Sequence, residues 1–431
     1  MAKAALIAKQ ETFNSFIRFF AKNKNRIEKL AGEKIELKFI YNYFPEKDIN
    51  FEQLDLSSIQ SIKIVDNFKD LLLNFKVDIV IDLSQNEDLK TYLVHSLKNK
   101  KNVITSNKKM LAENFDEFKK LEAKYQAKIY YAAAFSPMPL KTLTDNLFAL
   151  DEITEMNAIL NATTNFILTE MEKNTISMKE TLERAKESSY IEENAELDLG
   201  GLDSLYEIVL LANLFYNVNV DPELVKVKGI KGITSYDLIY AGELGYKIKL
   251  LTSIKKENKN LYIGVRPNLI RKDNFLASVN ENSNAVEFIS NYNSKTNFKA
   301  ENTDSALTNL MTLDLIKAVK HNKNKIDFNI NFDLETEVEN IFDLYHNQKR
   351  SFYIRLQLEK DEEIIEEIKN IFSEKNLADL ILHDNLTETP LLPVIIITKE
   401  ITEKDLEIIL QEVEELKGVL TVNNIIPVNA E

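Results

Sequence analysis

The chain has 431 residues, 44% of them hydrophobic, and sets 68 acidic against 54 basic side chains for a formal charge of −14. That length supports two or three cores, since domains run to roughly 100–200 residues, and the acidic balance without a dominant Lys/Arg cluster excludes a nucleic-acid or anionic-membrane surface. The lack of cysteine excludes disulfides, thiolate metal sites and a cysteine nucleophile, and no apolar run is long enough for a signal peptide or a membrane span, so a cytoplasmic protein is expected.

In chain order, A-L-I-A before Lys9 reads as a strand, F-N-S-F-I-R-F-F from Phe13 as a helix and I-E-L-K-F-I-Y from Ile35 as a second strand. Further apolar runs at Ile62–Val65, Asp78–Leu83, Asn102–Thr105 and Lys128–Ala134 alternate with helical patterns at Glu87–Leu97 and Lys108–Tyr125. The alternation predicts a Rossmann-like, doubly wound parallel α/β sheet. In such a fold the first strand-to-helix turn carries G-x-G-x-x-G to wrap a pyrophosphate. Here that turn holds no glycine, and Lys9 is its one basic residue. Nine glycines in 431 residues, about 2% against a usual level near 7%, point the same way, although a Lys/Asn/Ile-biased genome lowers glycine too.

The stretch Asn161–Asn217 gathers Asn161, Thr163, Thr164, Asn165, Glu192, Asp198 and Asp203 around two apolar segments, more short polar side chains than a helical hairpin needs. It reads as a substrate pocket, with Asn161–Asn165 serving equally as a helix N-cap. Two strands of a mixed sheet follow within Tyr246–Ile270, then a helix at 305–320, a polar linker at 333–350 and a βαββαβ order from Ser351. His95, His321, His346 and His383 fall on separate elements with no metal-ligand spacing, so no metal is expected.

The Thr-Thr-Asn turn, the run Y-I-E-E-N-A-E-L-D-L-G-G-L-D and V-K-G-I-K-G-I-T (Val227–Thr234) together resemble homoserine dehydrogenase. The resemblance implies a dinucleotide-binding domain at 1–135 to which helix 305–320 returns, a substrate and dimerisation domain at 136–332 with a mixed sheet, a linker at 333–350 and an ACT-like regulatory domain at 351–431. It places the family's phosphate-turn glycines at Ala8, Gln10 and Phe13, a second glycine pair near Ser84, Gln85 and Asn86, and one catalytic lysine at Lys108. The carboxylate of a monovalent-cation site falls at Tyr131, with its glycines at Ser136 and Pro137. Asn161, Thr163 and Thr164 would line the substrate, Glu192 and Asp198 would face an amino acid's ammonium, and Asp203 would stand near the reacting hydroxyl. A second lysine of the family becomes Glu207, which reads as a solvated surface residue. A glycine-rich cofactor loop becomes Lys295–Ala306, and the Pro-Gly ligand turn of the regulatory domain becomes Glu362-Glu363.

These replacements strike ligand-contacting positions and leave the framework. The expectation is a catalytically impaired member that acts by binding, with no cofactor, as a homodimer or as a heteromer with an intact homoserine dehydrogenase or another aspartate-pathway enzyme. A small amino-acid ligand stays open. The alternative is an active NAD- or NADP-dependent enzyme interconverting L-homoserine and L-aspartate 4-semialdehyde, with Lys108 as the surviving proton-transfer group beside Asp203. A third class is a structural homodimer with no ligand.

Overall fold

The computed structural model describes residues 1–8, 10–41, 63–65, 67–74, 77–84, 86–187, 195–324, 338–346, 348–382 and 391–429. The chain forms two compact units: Met1–Asp151 with Val209–Asp221 and Glu301–Glu335, and Glu152–Ile208 with Pro222–Ala300 and Thr336–Glu431.

The first unit opens with β1 (Ala2–Ala8), α1 (Gln10–Ala31), β2 (Ile35–Tyr41), β3 (Lys63–Val65), α2 (Phe68–Asn74), β4 (Ile79–Leu83), α3 (Lys90–Lys98) and β5 (Asn102–Thr105). It continues through α4 (Lys108–Glu113), α5 (Phe115–Tyr125), β6 (Ile129–Tyr130) and α6 (Leu140–Asn146). Its sheet is ordered β3-β2-β1-β4-β5-β6, with each pair parallel. Strands covered on both faces need no polar side, and I-V-I-D-L of β4 is buried throughout. The strand order reverses direction between β1 and β4, where doubly wound folds open their ligand crevice.

Phe13, Phe16, Ile17, Phe20, Ile27 and Ala31 recur at helical spacing on α1 and are all buried. They meet Ala4, Leu6, Leu37, Ile79 and Ile81 from the sheet and Leu310, Met311, Leu315 and Val319 from α12 (Asp304–Asn324) in one core. Burying each phenylalanine contributes about 2 kcal/mol. The return of α12 to this unit is fixed by polar contacts as well. Asn102 Nδ2 donates to the carbonyl of Ala318 at 3.3 Å, and the backbone amide of Ala132 donates to Asp314 at 2.7 Å.

Two elements of this unit differ from the sequence reading. The strand expected over Lys128–Ala134 ends at Tyr130 and gives way to a 3₁₀ turn, Ala132–Phe135, because the Ala132 amide turns toward Asp314. The helix expected over Lys108–Tyr125 breaks at Asn114, whose side chain donates back to the Met110 carbonyl at 2.8 Å.

The second unit contains β7 (Ile153–Ile159), α7 (Ala162–Asn174), α8 (Met178–Glu187), α9 (Glu196–Gly200), α10 (Leu202–Tyr216), which runs on into Val209–Asp221, and α11 (Ser235–Glu243). Then come β8 (Tyr246–Glu257), β9 (Asn260–Arg271), β10 (Ser283–Ser290), β11 (Ser294–Glu301) and β12 (Asn340–Asp343). Last are β13 (Ser351–Glu359), α13 (Glu362–Asn376), β14 (Leu377–Leu382), β15 (Leu391–Thr398), α14 (Glu403–Glu414) and β16 (Val419–Asn429). A mixed sheet runs β11-β10-β7-β8-β9-β16-β13-β15-β14, with β12 also on β9.

The expected loop Lys295–Ala306 is a strand over most of its length. K-T-N-F-K-A-E alternates inward and outward and closes the sheet as β11, and its lysines suit an exposed edge. Part of the expected linker is also structured. Asn340–Asp343 pairs in parallel with Asn260–Ile263, and Leu344 and Tyr345 are buried, Tyr345 beneath the Arg266 guanidinium at 4.0 Å from its ring centroid. The polar, aperiodic sequence there hides a strand because its partner lies some 80 residues away in the chain.

In the C-terminal segment the order βαββαβ folds into an antiparallel sheet, β16-β13-β15-β14, with α13 and α14 covering one face. Phe352, Ile354, Leu356 and Leu358 alternate along β13 toward those helices. Tyr353 and Arg355 take the opposite face and reach α11. There Asp237, fully buried, accepts from the Thr234 amide (2.9 Å) and hydroxyl (2.8 Å), the Tyr353 hydroxyl (3.2 Å), Arg355 Nε (2.7 Å) and Nη2 (3.3 Å), and Asn424 Nδ2 (2.8 Å).

Candidate functional site

The acidic motif is shaped by its glycines. Gly201 ends α9 with φ +82° and lets the chain turn at once into α10. A Cβ on Gly229 would stand 2.0 Å from the Leu199 carbonyl oxygen and 2.6–2.7 Å from the Gly200 backbone. Only a hydrogen fits there, so the V-K-G-I-K-G run lies directly against the Gly200-Gly201 turn, held by the Ile230 amide donating to Leu199 (2.9 Å) and the Lys228 amide donating to Val265 (2.8 Å). The two motifs that carry the resemblance are therefore one packed object.

That turn brings Asp198 and Asp203 to a common neighbour. Asn161 Nδ2 donates to Asp198 Oδ1 at 2.6 Å and to Asp203 Oδ2 at 3.2 Å, while its Oδ1 accepts from the Thr164 amide at 2.8 Å. Asn161 thus caps α7 and joins the two carboxylates with the same side chain. Both aspartates are half-buried. Two carboxylates converging on one amide make a place of negative charge suited to a small cation such as an ammonium group.

Other expected residues take different places. Thr164 is fully buried and its hydroxyl donates to the Asn161 carbonyl at 3.0 Å, so it builds the turn; Thr163 is half-buried. Glu192 and Gln85 lie outside the described residues. Glu207 is corrected from solvated to fully buried. The reason is the helix around it: Leu205, Ile208, Val209, Leu210, Leu211 and Ala212 are all buried, so this stretch of α10 runs through the interior. A carboxyl group therefore sits inside the protein one turn after Asp203.

Lys249, a side chain not singled out from the sequence, lies 1% exposed on β8. Its Nζ donates to Asn165 Oδ1 (2.8 Å) and the Val279 carbonyl (2.6 Å), and Asn165 Nδ2 donates to the carbonyls of Glu281 (3.1 Å) and Ser283 (3.1 Å). The start of α7 is thereby tied to the segment before β10. Burial pushes the Lys249 ammonium down to about 7. The signal was a lysine inside the apolar run I-K-L-L.

In the first unit, Lys108 is half-buried at the start of α4, where Asn107 Oδ1 accepts from the Met110 amide at 3.1 Å. Lys108 and the acidic turn belong to different units. Tyr131 stands at the expected cation carboxylate, and the Lys141 ammonium lies over its ring, 5.3 Å from the centroid, paired with Asp145 at 3.2 Å. Burial works against that ammonium, yet the Tyr131 and Asp145 oxygens outweigh it and raise its pKa. Asp314, fully buried, is pushed up to about 6.

The expectation of no cofactor rested on the missing glycines at Ala8, Gln10 and Phe13 and on the polar side chains at Ser84, Gln85 and Asn86, and the packing of Phe13 and Ser84 does not support it. Phe13 is fully buried in the core between α1, the sheet and α12. Ser84 is also fully buried, its amide and hydroxyl donating to Asp82 Oδ1 at 2.9 and 2.7 Å. Neither ring nor hydroxyl fills the crevice. The parallel strand order and the long α1 beginning at the end of β1 fit a dinucleotide phosphate at that helix N-terminus. Only the backbone is described at Ala8 and Gln10.

The structure also gathers His346, Glu403 and Glu407, with candidate ligand atoms within 4.8 Å of one another, although the sequence showed no histidine with metal-ligand spacing. Glu403 already pairs with Arg266 at 2.5 Å, and that guanidinium opposes a second cation on the same carboxylate. No helix among the described residues is long and apolar enough to cross a membrane.

The homoserine dehydrogenase family profile matches residues 139–312, and the profile of the homoserine dehydrogenase NAD-binding domain matches residues 15–132. The homoserine dehydrogenase of Bacillus subtilis is 31% identical over 362 residues, covering 81% of each chain. Among solved structures, a homoserine dehydrogenase from Thiobacillus denitrificans superposes with a TM-score of 0.85 at 19% identity, covering 99% of this chain and 98% of that one. A hyperthermophilic archaeal homoserine dehydrogenase in complex with NADPH superposes at 0.61 with 20% identity over 74% of this chain and 97% of that one. With the acidic turn, the parallel sheet and both profiles in agreement, the chain belongs to the homoserine dehydrogenase family.

Proposed function

We propose that this protein holds a small amino acid by its ammonium group between Asp198 and Asp203, which Asn161 brings together, and that its hydride-transfer activity is strongly reduced relative to its relatives. One observation carries the reading: a buried carboxyl group, Glu207, one turn after Asp203, at the position where the family resemblance calls for a lysine. Oxidation of an alcohol needs a group to take the hydroxyl proton, and a lysine whose pKa is lowered by burial suits that task. A glutamate there offers no ammonium to balance the developing alkoxide, and burial disfavours its charged form.

The active enzyme is the second reading, favoured by the inward packing of Phe13 and Ser84. NADP or NAD, held against the start of α1, would supply the hydride acceptor. Within the acidic turn, Asp203 would then orient the hydroxyl and Asp198 would grip the ammonium. The strand order β16-β13-β15-β14 supports an ACT-like regulatory role for the C-terminal domain. A second copy of this chain or an intact family member is the proposed partner, and light scattering after size exclusion tests it.

Calorimetric titration with L-homoserine, NADPH titration followed by nicotinamide fluorescence, and homoserine oxidation beside the Bacillus subtilis relative separate the readings. The proposal requires homoserine binding with turnover about 10²–10⁴-fold below the relative, partly restored in Glu207→Lys. Turnover matching the relative would overturn it.

A further inference from the structure

A second site lies on the C-terminal sheet, away from the acidic turn. Tyr236 and Tyr240, one turn apart on α11, stack at 6.4 Å between centroids. Together with Arg355 and Gln357 of β13 and Leu391 and Pro393 of β15 they line a cavity of about 160 Å³. The register explains the convergence: Gln357 pairs with Pro393 and Glu359 with Leu391, so these side chains share the sheet face opposite the helices.

Arg355 gives the cavity its polarity. Its Nε and Nη2 are committed to Asp237, and its side chain is only 11% exposed. Nη1 has no hydrogen-bond partner among the described residues. The Gln357 amide stands two residues along the same face. Asp237 shares its charge among Thr234, Tyr353 and Asn424 as well, so Arg355 is held in place without being fully satisfied. A preorganised guanidinium edge beside two phenol rings selects a planar acceptor with an apolar flank. The volume, well below the roughly 300 Å³ of the smallest drug-sized pockets, limits the occupant to about one small ring or a short branched chain.

We propose that this cavity binds a small carboxylate carrying a short branched or aromatic group, with the carboxylate on Arg355 and the apolar group between Tyr236 and Pro393. Occupancy reaches the acidic turn through a continuous path: Arg355 holds Asp237, Asp237 caps α11 together with Thr234, and Thr234 ends the run whose Gly229 lies on Gly200. The site stands independently of whether the acidic turn catalyses anything.

The chain has no tryptophan, so Tyr236→Trp, at a 47% exposed position, places a single fluorophore on the rim. Titration with benzoate and isobutyrate should give a saturable change, matched by calorimetry on the unsubstituted protein. Benzamide and isobutyramide, the neutral counterparts, should bind at least about tenfold more weakly. Gln357→Glu should weaken benzoate about tenfold or more while leaving benzamide unaffected, because the added charge opposes only the anion. If that variant does not fold, Leu391→Trp tests the same point by filling the cavity. No saturable binding to the unsubstituted protein up to about 50 mM, equal affinity for acid and amide, or benzoate affinity unchanged in the folded variant would each overturn the assignment.

Discussion

Removing the Asp237 carboxylate is the most searching perturbation of this fold. Asp237→Ala leaves the Arg355 guanidinium, whose side chain is 11% exposed, without its counter-charge, and leaves Asn424 Nδ2 and the Tyr353 hydroxyl without their acceptor. Burial and the Asp237 carboxylate push the Tyr353 phenol up, so it is a donor to that carboxylate at neutral pH. Breaking a buried ion pair from one side costs about 3–5 kcal/mol, and losing the Thr234 capping box adds about 1 kcal/mol. Because these share one network, about 4 kcal/mol is expected in place of their sum. Urea denaturation followed by circular dichroism measures it. The double variant Asp237→Ala with Arg355→Met should recover at least about half of the loss, since no charge is then stranded. A single-variant cost under about 1 kcal/mol, or a double variant no better than the single, would refute the assignment of this contact as the fastening of α11 to the C-terminal sheet.

Three further outcomes follow from the same geometry. Lys249 has a folded-state pKa depressed to about 7, so the unfolded chain binds more protons above that pH and stability rises between about pH 7 and 10. Lys249→Met should flatten that rise, as read from urea midpoints across the range. Asp314 behaves oppositely: its pKa is raised to about 6, so its stabilisation is complete below about pH 4 and lost as pH climbs through 6, a change of about 3 kcal/mol. Asp314→Asn, which keeps an acceptor for the Ala132 amide, should remove that slope in thermal melts between pH 4 and 8. Gly229→Ala places a Cβ 2.0 Å from a backbone oxygen that cannot yield, and should cost about 3 kcal/mol and abolish calorimetric homoserine binding by displacing the Gly200-Gly201 turn.

Much of the architecture is written locally. The alternation of apolar runs with helical stripes specifies the parallel sheet, because strands covered on both faces and helices covered on one carry different periods. Asn107 and Asn161 announce helix starts that the structure shows capped by their side chains. The acidic loop and V-K-G-I-K-G are each visible in the chain, although their contact is not.

Tertiary packing decided the rest, for a common reason: burial is set by what covers an element, and the cover comes from far along the chain. Phe13 stands at an expected glycine position, and only α12, some 300 residues later, encloses its ring in the core. Glu207 looked solvated by its type alone, yet Leu205 and Ile208 to Ala212 around it are all buried and carry it inward. Asn340–Asp343 has no strand pattern of its own and becomes one because β9 offers an edge. Arg355 and Asp237 are ordinary charges in sequence; folding places them 2.7 Å apart out of water, where the low dielectric makes an unremarkable pair the joint between two parts of the unit.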